Sequence, residues 1–187
     1  RNFECYSEDP LLTAQLAGNV IEGLQSQKVA ATIKHFVGNE SEIERTTISS
    51  EVDERTLREL YLVPFEWAVK QACTWGIMSS YNRLNGTFTS ENGWLLDEVL
   101  RAEWHYDGIV MSDWFGSHST AETVNAGLDL EMPGPTRDRG AKRQRPQHDA
   151  VLGERPGRGG GQRERGGRQP DQHAGGRHQA ALDRQQQ

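Results

Sequence analysis

Gly108-Ile109-Val110-Met111-Ser112-Asp113-Trp114 carries the pattern from which the fold class follows. The short apolar run has the length of a fully buried strand. It then delivers a hydroxyl, a carboxylate and an indole in succession. Comparable runs recur along the chain. Val29-Ala30-Ala31-Thr32-Ile33 leads into Lys34-His35-Phe36, Ile77-Met78-Ser79-Ser80 into Tyr81-Asn82, and Leu128-Asp129-Leu130-Glu131-Met132 into Pro133-Gly134. In an α/β barrel the carboxyl ends of the strands form the floor of the active site, so polar groups there are available for chemistry. A single such group is weak, whereas repetition at regular intervals is a pattern.

Working outward, helices are predicted between the strands. Asp9-Pro10 reads as a cap followed by proline at the first helical position, with Leu12, Leu16, Val20 and Leu24 forming one apolar stripe. Residues 37–50 read as a long loop. Asp53 is expected to cap a helix carrying Leu57, Leu60, Tyr61, Phe65 and Val69, with Pro64 breaking or kinking it between Leu60 and Val63. Leu95, Leu96, Val99 and Leu100 mark a further helix, and Ala121 to Ala126 a short one closed by Gly127. Strands at 29–33, 76–80, 108–112 and 128–132 alternate with these helices, which predicts βα units and a parallel sheet. A complete eight-stranded barrel takes about 250 residues. The expectation is therefore an α/β fold, the C-terminal half of a TIM-like (β/α)8 barrel over residues 1–142, with the other half upstream of Arg1.

Composition divides the chain. The net charge of −6 hides a tail, residues 143–187, with 9 Arg against 5 acids, 9 Gly and 9 Gln, and no Ile, Phe, Trp, Tyr, Met or Cys. Such a segment cannot bury enough apolar surface to offset its ordering entropy and is expected to be disordered. Its abrupt start suggests a coding-frame shift. RNA binding through the arginines is disfavoured because no aromatic is interleaved to stack on bases. No stretch approaches the roughly 20 apolar residues of a membrane span. Cys5 and Cys73 have neither CxxC nor metal-ligand spacing, so they leave the redox compartment and localisation open.

Five motifs in order resemble glycoside hydrolase family 3, specifically its β-glucosidase-like members. They are Arg1-Asn2-Phe3-Glu4 with Ser7-Glu8-Asp9-Pro10, Lys34-His35-Phe36, Ser80-Tyr81-Asn82, Val110-Met111-Ser112-Asp113-Trp114, and Ala126 through Pro135. The resemblance covers residues 1–142 and stops there. It implies hydrolysis of β-linked sugars with retention, which uses two carboxyl groups about 5 Å apart across the scissile bond. Carried over by motif, Asp113 is the nucleophile. An attacking carboxylate must stay ionised, which suits a setting of hydrogen-bond donors and cations. Lys34, His35 and Arg1 are expected to supply these and to hold sugar hydroxyls. Trp114 would wall the subsite, Tyr81 lie close to the nucleophile and Met78 line the pocket.

The resemblance also places the acid/base in a domain after the barrel, so the isolated chain is expected to turn over poorly, and hydrolysis of cellobiose by it would contradict that. Asp129 and Glu131 are read as barrel-interior or rim groups, and Glu131 as at most a weak subsite candidate. The family's amino-sugar branch carries a Gly-His pair and an acid after Lys-His-Phe. Here Phe36 is followed by Val37-Gly38-Asn39-Glu40, which argues for the β-glucosidase type. No cofactor or metal is implied, and the partner expected is a small β-glucoside or oligosaccharide rather than nucleic acid or membrane. The alternatives are a non-catalytic truncated product and a β-xylosidase or arabinosidase of the same family. Oligomeric state is not legible.

Overall fold

Asp9 caps the first helix as its sequence predicts. Its Oδ1 accepts from the amides of Leu11 (2.8 Å) and Leu12 (3.0 Å), and α1 runs Pro10–Ser26. This pairs amides that a helix cannot satisfy within itself. The structure is a computed structural model that describes residues 2–134. The expectations for Arg1 and for the tail 143–187 lie outside those residues.

The buried face of α1 differs from the predicted one. Leu12, Leu16, Val20 and Leu24 are 42–46% exposed, whereas Ala14, Ala17, Gly18 and Ile21 are buried. Both sets satisfy helical spacing. Close approach of two helices selects the small one: a β-carbon at Gly18 would lie 3.1 Å from the Trp67 indole of α3.

Next comes β1, Thr32–Phe36, three residues later than the predicted 29–33, so Lys34 and His35 lie within the strand rather than beyond it. Its register is set by Gly76, whose amide donates to Ala31 O at 3.0 Å and whose missing side chain admits Thr32 against it. Two non-proline cis peptides, Lys34–His35 and Phe36–Val37, lie here, and the register shifts between Ile33 and Phe36. The segment 37–50 is mostly loop, with a short β2 at Ser49–Ser50.

Asp53 caps α2, Glu54–Thr56, which passes through a π-helical turn, Leu57–Tyr61, into α3, Val63–Lys70. The interruption falls just ahead of Pro64, where the ring removes a backbone donor. The Thr56 hydroxyl and amide, both donating to Asp53, hold its carboxyl below its ordinary value. A depressed folded-state pKa means the cap stabilises above the unfolded value, near 3.9, and that this contribution disappears as pH falls through the lower one. Asp53→Asn retains an N-cap side chain without the titration. The melting temperature of the parent is therefore expected to exceed that of the variant at pH 7, and the difference to shrink as pH falls below the unfolded value. A constant difference across that range would contradict the assignment.

Strand β3, Gly76–Ser79, lies between β1 and β6, Ile109–Met111, in a parallel sheet of order β1-β3-β6. The hairpin β4, Arg83–Leu84, and β5, Thr87–Phe88, joins β2 in a second small sheet. The predicted fourth strand at 128–132 is reduced to one parallel bridge, Met111 to Leu130. It is nonetheless tied to β6: Ser112 N donates to Leu130 O (2.9 Å) and Asp129 N to Val110 O (2.9 Å). A π-helical segment, Trp94–Glu103, buries the four predicted residues Leu95, Leu96, Val99 and Leu100. The short α4, Ala121–Ala126, ends at Gly127 with φ 102°, a left-handed geometry that glycine adopts without a β-carbon clash.

Phe36, Ile77, Val110 and Leu128 project from the sheet into one core with the helical leucines. Phe36 packs on Phe65 (centroids 5.0 Å) and Trp104 (6.0 Å). Each such side chain contributes about 1.5–3 kcal/mol by burial. This layer fixes the outer face of the sheet, and with it the aim of the alternate residues on the other.

Candidate active site

Ser112 and Asp113 follow directly on β6. The Ser112 hydroxyl accepts from Met132 N (2.8 Å), which locks the strand exit to the 128–132 segment. Asp113 is buried, 7% exposed, and its carboxylate has two donors. Oδ1 accepts from the Trp114 amide at 2.7 Å, and Oδ2 lies 3.3 Å from His35 Nε2 on β1. The two oxygens are thus aimed by different parts of the chain, a local amide and a strand two positions across the sheet. A carboxylate held in this way is positioned to attack or to stabilise positive charge.

The structure brings His35 to Asp113 as expected. Lys34 differs: its Nζ is directed to Glu4 Oε1 at 3.2 Å. Within β1 the two neighbours thus take different partners, Lys34 with Glu4 and His35 with Asp113. Met78 lies in register with Met111 on β6 and is half-buried. Trp114 is 54% exposed. Arg1 lies outside the described residues.

Tyr81 sits just past β3 on a turn held by buried polar groups. The Ser80 amide donates to Phe36 O (3.0 Å), the Ser80 hydroxyl to Val37 O (3.2 Å), and Thr89 Oγ1 to Ser80 O (2.7 Å). Asn82 Nδ2 donates to Arg83 O at 2.9 Å. These bonds weld the ends of β1 and β3 together, which is why a polar triple, Ser80-Tyr81-Asn82, can follow a buried strand.

The sequence reading did not single out Arg45. Its guanidinium lies over the Tyr81 ring, 5.2 Å from the centroid, and so brings a cation to the Tyr81 side of the site from the 37–48 loop. Isolated in a polar stretch, it offered no periodic signal. Asp129 has a structural role: its Oδ2 accepts from Arg101 Nη2 (2.5 Å) and from Val110 N (2.8 Å), a clamp at the start of β6.

Strand-end groups that converge on one buried carboxylate, carried on a parallel sheet backed by helices, define an α/β domain of barrel type with an acidic centre. The sequence model for the glycosyl hydrolase family 3 N terminal domain matches residues 1–144. A β-glucosidase of Rhizobium radiobacter is 76% identical over 142 residues, which are 76% of this chain and 17% of the relative. Beta-glucosidase B of Emericella nidulans is 56% identical over 137 residues, 73% of this chain and 16% of that one. Among solved structures, β-glucosidase 3B of Thermotoga neapolitana in complex with glucose aligns with TM-score 0.73 and 49% identity, over 77% of this chain and 20% of that chain. The chain belongs to glycosyl hydrolase family 3, whose N-terminal domain has a TIM-barrel-like α/β fold. It spans about 17% of the length of the curated relatives it matches.

Proposed function

We propose that this chain carries the nucleophile half of a retaining, exo-acting β-glycosidase of β-glucosidase type that releases terminal β-linked glucose. The observation that carries this reading is the Asp113 carboxylate, nearly buried at the end of β6 and aimed by His35 and the Trp114 amide. In the proposed reaction Asp113 attacks the anomeric carbon and the glycosidic oxygen leaves with a proton from a second carboxyl group. Water then cleaves the glycosyl-enzyme with that same group as base. The second carboxyl is not assigned among the described residues.

His35 and Lys34 hold sugar hydroxyls in this reading, with Arg1 from the first motif. Tyr81 and Met78 line the glycone side, and Trp114 supplies an apolar face. Arg45 stands beside Tyr81 as a further donor. The end of the family match at residue 144 supports residues 1–142 as part of a barrel domain. In this reading they are its C-terminal half.

The test is a chimera in which residues 1–142 replace the matched segment of the Rhizobium radiobacter β-glucosidase. It is expected to hydrolyse p-nitrophenyl β-glucoside and to release glucose first as the β-anomer, seen by proton NMR. A 2-deoxy-2-fluoroglucoside trap is expected to label Asp113. Release of the α-anomer first, or labelling of another carboxylate, would overturn the reading.

A further inference from the structure

The parallel ladder between β3 and β6 ends at the pair Met78 and Met111, short of both Tyr81 and Asp113. Sheet pairing therefore does not fix the gap between those two residues. Three consecutive residues, Phe88, Thr89 and Ser90, reach both strand ends instead. The Thr89 hydroxyl serves the β3 end: it donates to Ser80 O (2.7 Å) and accepts from Ser80 N (3.1 Å). Its neighbours serve the β6 end. The Ser90 hydroxyl donates to Gly116 O at 2.8 Å, and the Phe88 ring stacks on His118 with centroids 3.6 Å apart and planes at 17°.

Both ends lead straight to the site. Ser80 immediately precedes Tyr81. Gly116 N donates to Asp113 O (2.9 Å), which closes the turn whose Trp114 amide holds Asp113 Oδ1. Thr89 and Ser90 are completely shielded from solvent. Water cannot replace their bonds, so losing either hydroxyl leaves a buried group unpaired.

The bridging segment is itself anchored. Phe88 pairs with Arg83 across the β4–β5 hairpin, and the Arg83 guanidinium lies 4.3 Å from the Phe88 centroid. Asn85 and Gly86 at the tip have φ 51° and φ 89°, the left-handed pair that a two-residue hairpin takes. The Asn85 side chain exchanges two hydrogen bonds of 2.8 Å with the Val52 backbone. The hairpin is thus no free arm, and a shift of residues 88–90 would carry both strand ends with it.

We propose that Thr89 and Ser90 are positioning residues that hold the Tyr81 turn at a set distance from the Asp113 turn and so fix the width of the glycone site. They act through Ser80 and Gly116 rather than on the sugar. This rests on the assignment of Tyr81 and Asp113 to that site.

The experiment uses the 187-residue chain, with amide hydrogen exchange and glucose affinity as readouts. Thr89→Val removes one hydroxyl and keeps the shape, Ser90→Ala removes the other, and Thr89→Ser retains the first. Cutting one tie is expected to be felt at the opposite end. Thr89→Val should speed exchange of the Trp114 and Gly116 amides, and Ser90→Ala that of the Ser80 amide, each by about three- to tenfold. The Val99 and Leu100 amides, in the buried helical segment, should keep their rates, which separates coupling from general loosening. Glucose affinity is expected to fall about three- to tenfold in both variants and to stay at the parent level in Thr89→Ser. Faster exchange confined to the near end, equal acceleration throughout the chain, or unchanged glucose affinity would overturn the proposal while glucose binding by the parent still supports the site. If Thr89→Val does not fold, Ser90→Ala decides on the same two readouts. No glucose binding by the parent chain would bring down both.

Discussion

Asp113→Ala, made in the chimera, is expected to lower turnover of β-glucosides by about 10⁴-fold or more, because a covalent mechanism has no substitute for its nucleophile. The alanine also takes the acceptor from two partly buried donors, His35 Nε2 and the Trp114 amide, at a cost of up to about 1–3 kcal/mol. Loss of activity alone would then be ambiguous between chemistry and folding. Asp113→Asn resolves this. Its amide oxygen can accept from the Trp114 amide, and its NH₂ can donate to the other tautomer of His35, so the site stays paired. Yet a carboxamide is a poor nucleophile. Both variants are expected to lose activity alike, with the Asn form melting close to the parent. Retention of more than about 1% of activity in the Asn form, well above what loss of a nucleophile leaves, would remove Asp113 from the mechanism.

The largest effect on stability is expected at Gly108. A β-carbon there would lie 2.6 Å from Trp75 O and closer still to Tyr106 Oη. Trp75 O is the acceptor of the Ile109 amide at 3.0 Å, the first bond joining β6 to the β3 side of the sheet. A backbone carbonyl cannot swing aside as a flexible side chain can, so Gly108→Ala must push the strands apart. Overpacking of this kind costs about 2–3 kcal/mol and lowers the melting temperature by roughly 5–15 °C. Gly93→Ala is the matched control. Gly93 has φ −61° and ψ −36°, and nothing lies within 4 Å of its would-be β-carbon. There alanine restricts the unfolded chain and is expected to raise stability by about 0.4–1 kcal/mol. Opposite signs in thermal melts are the expected result, and a drop of equal size in both variants would mean that crowding is not the cause.

Features governed by neighbours in sequence were legible in advance. Asp9, Asp53 and Gly127 sit where caps were expected because capping is settled within a few residues. The helix 94–103 presented a single apolar face and buried it. Features governed by distant partners were not legible. The leucine stripe of α1 was the more hydrophobic face, but Trp67, far along the chain, required the glycine and alanine side. Strand β1 moved because Gly76 sets its register, which no property of residues 29–36 reveals. At the site, ordered motifs pointed to Asp113 and His35, whereas the pairing of Lys34 with Glu4 and the approach of Arg45 to Tyr81 depend on how loops return.

The Arg101 guanidinium makes three hydrogen bonds to two segments of chain. Nη2 meets Asp129 Oδ2, while Nη1 donates to Tyr106 O (2.9 Å) and Gly108 O (2.8 Å). Lysine offers one compact charge and no planar fork, so the exchange usually regarded as harmless is not harmless here. A lysine could keep the carboxylate or the carbonyls but not both, and β6 would lose its footing at the end opposite its acid. The fidelity of the carboxylate's aim is therefore set in part by a residue that never approaches the substrate. A survey of tolerated replacements should find arginine alone retained at that position, even among variants screened only for activity.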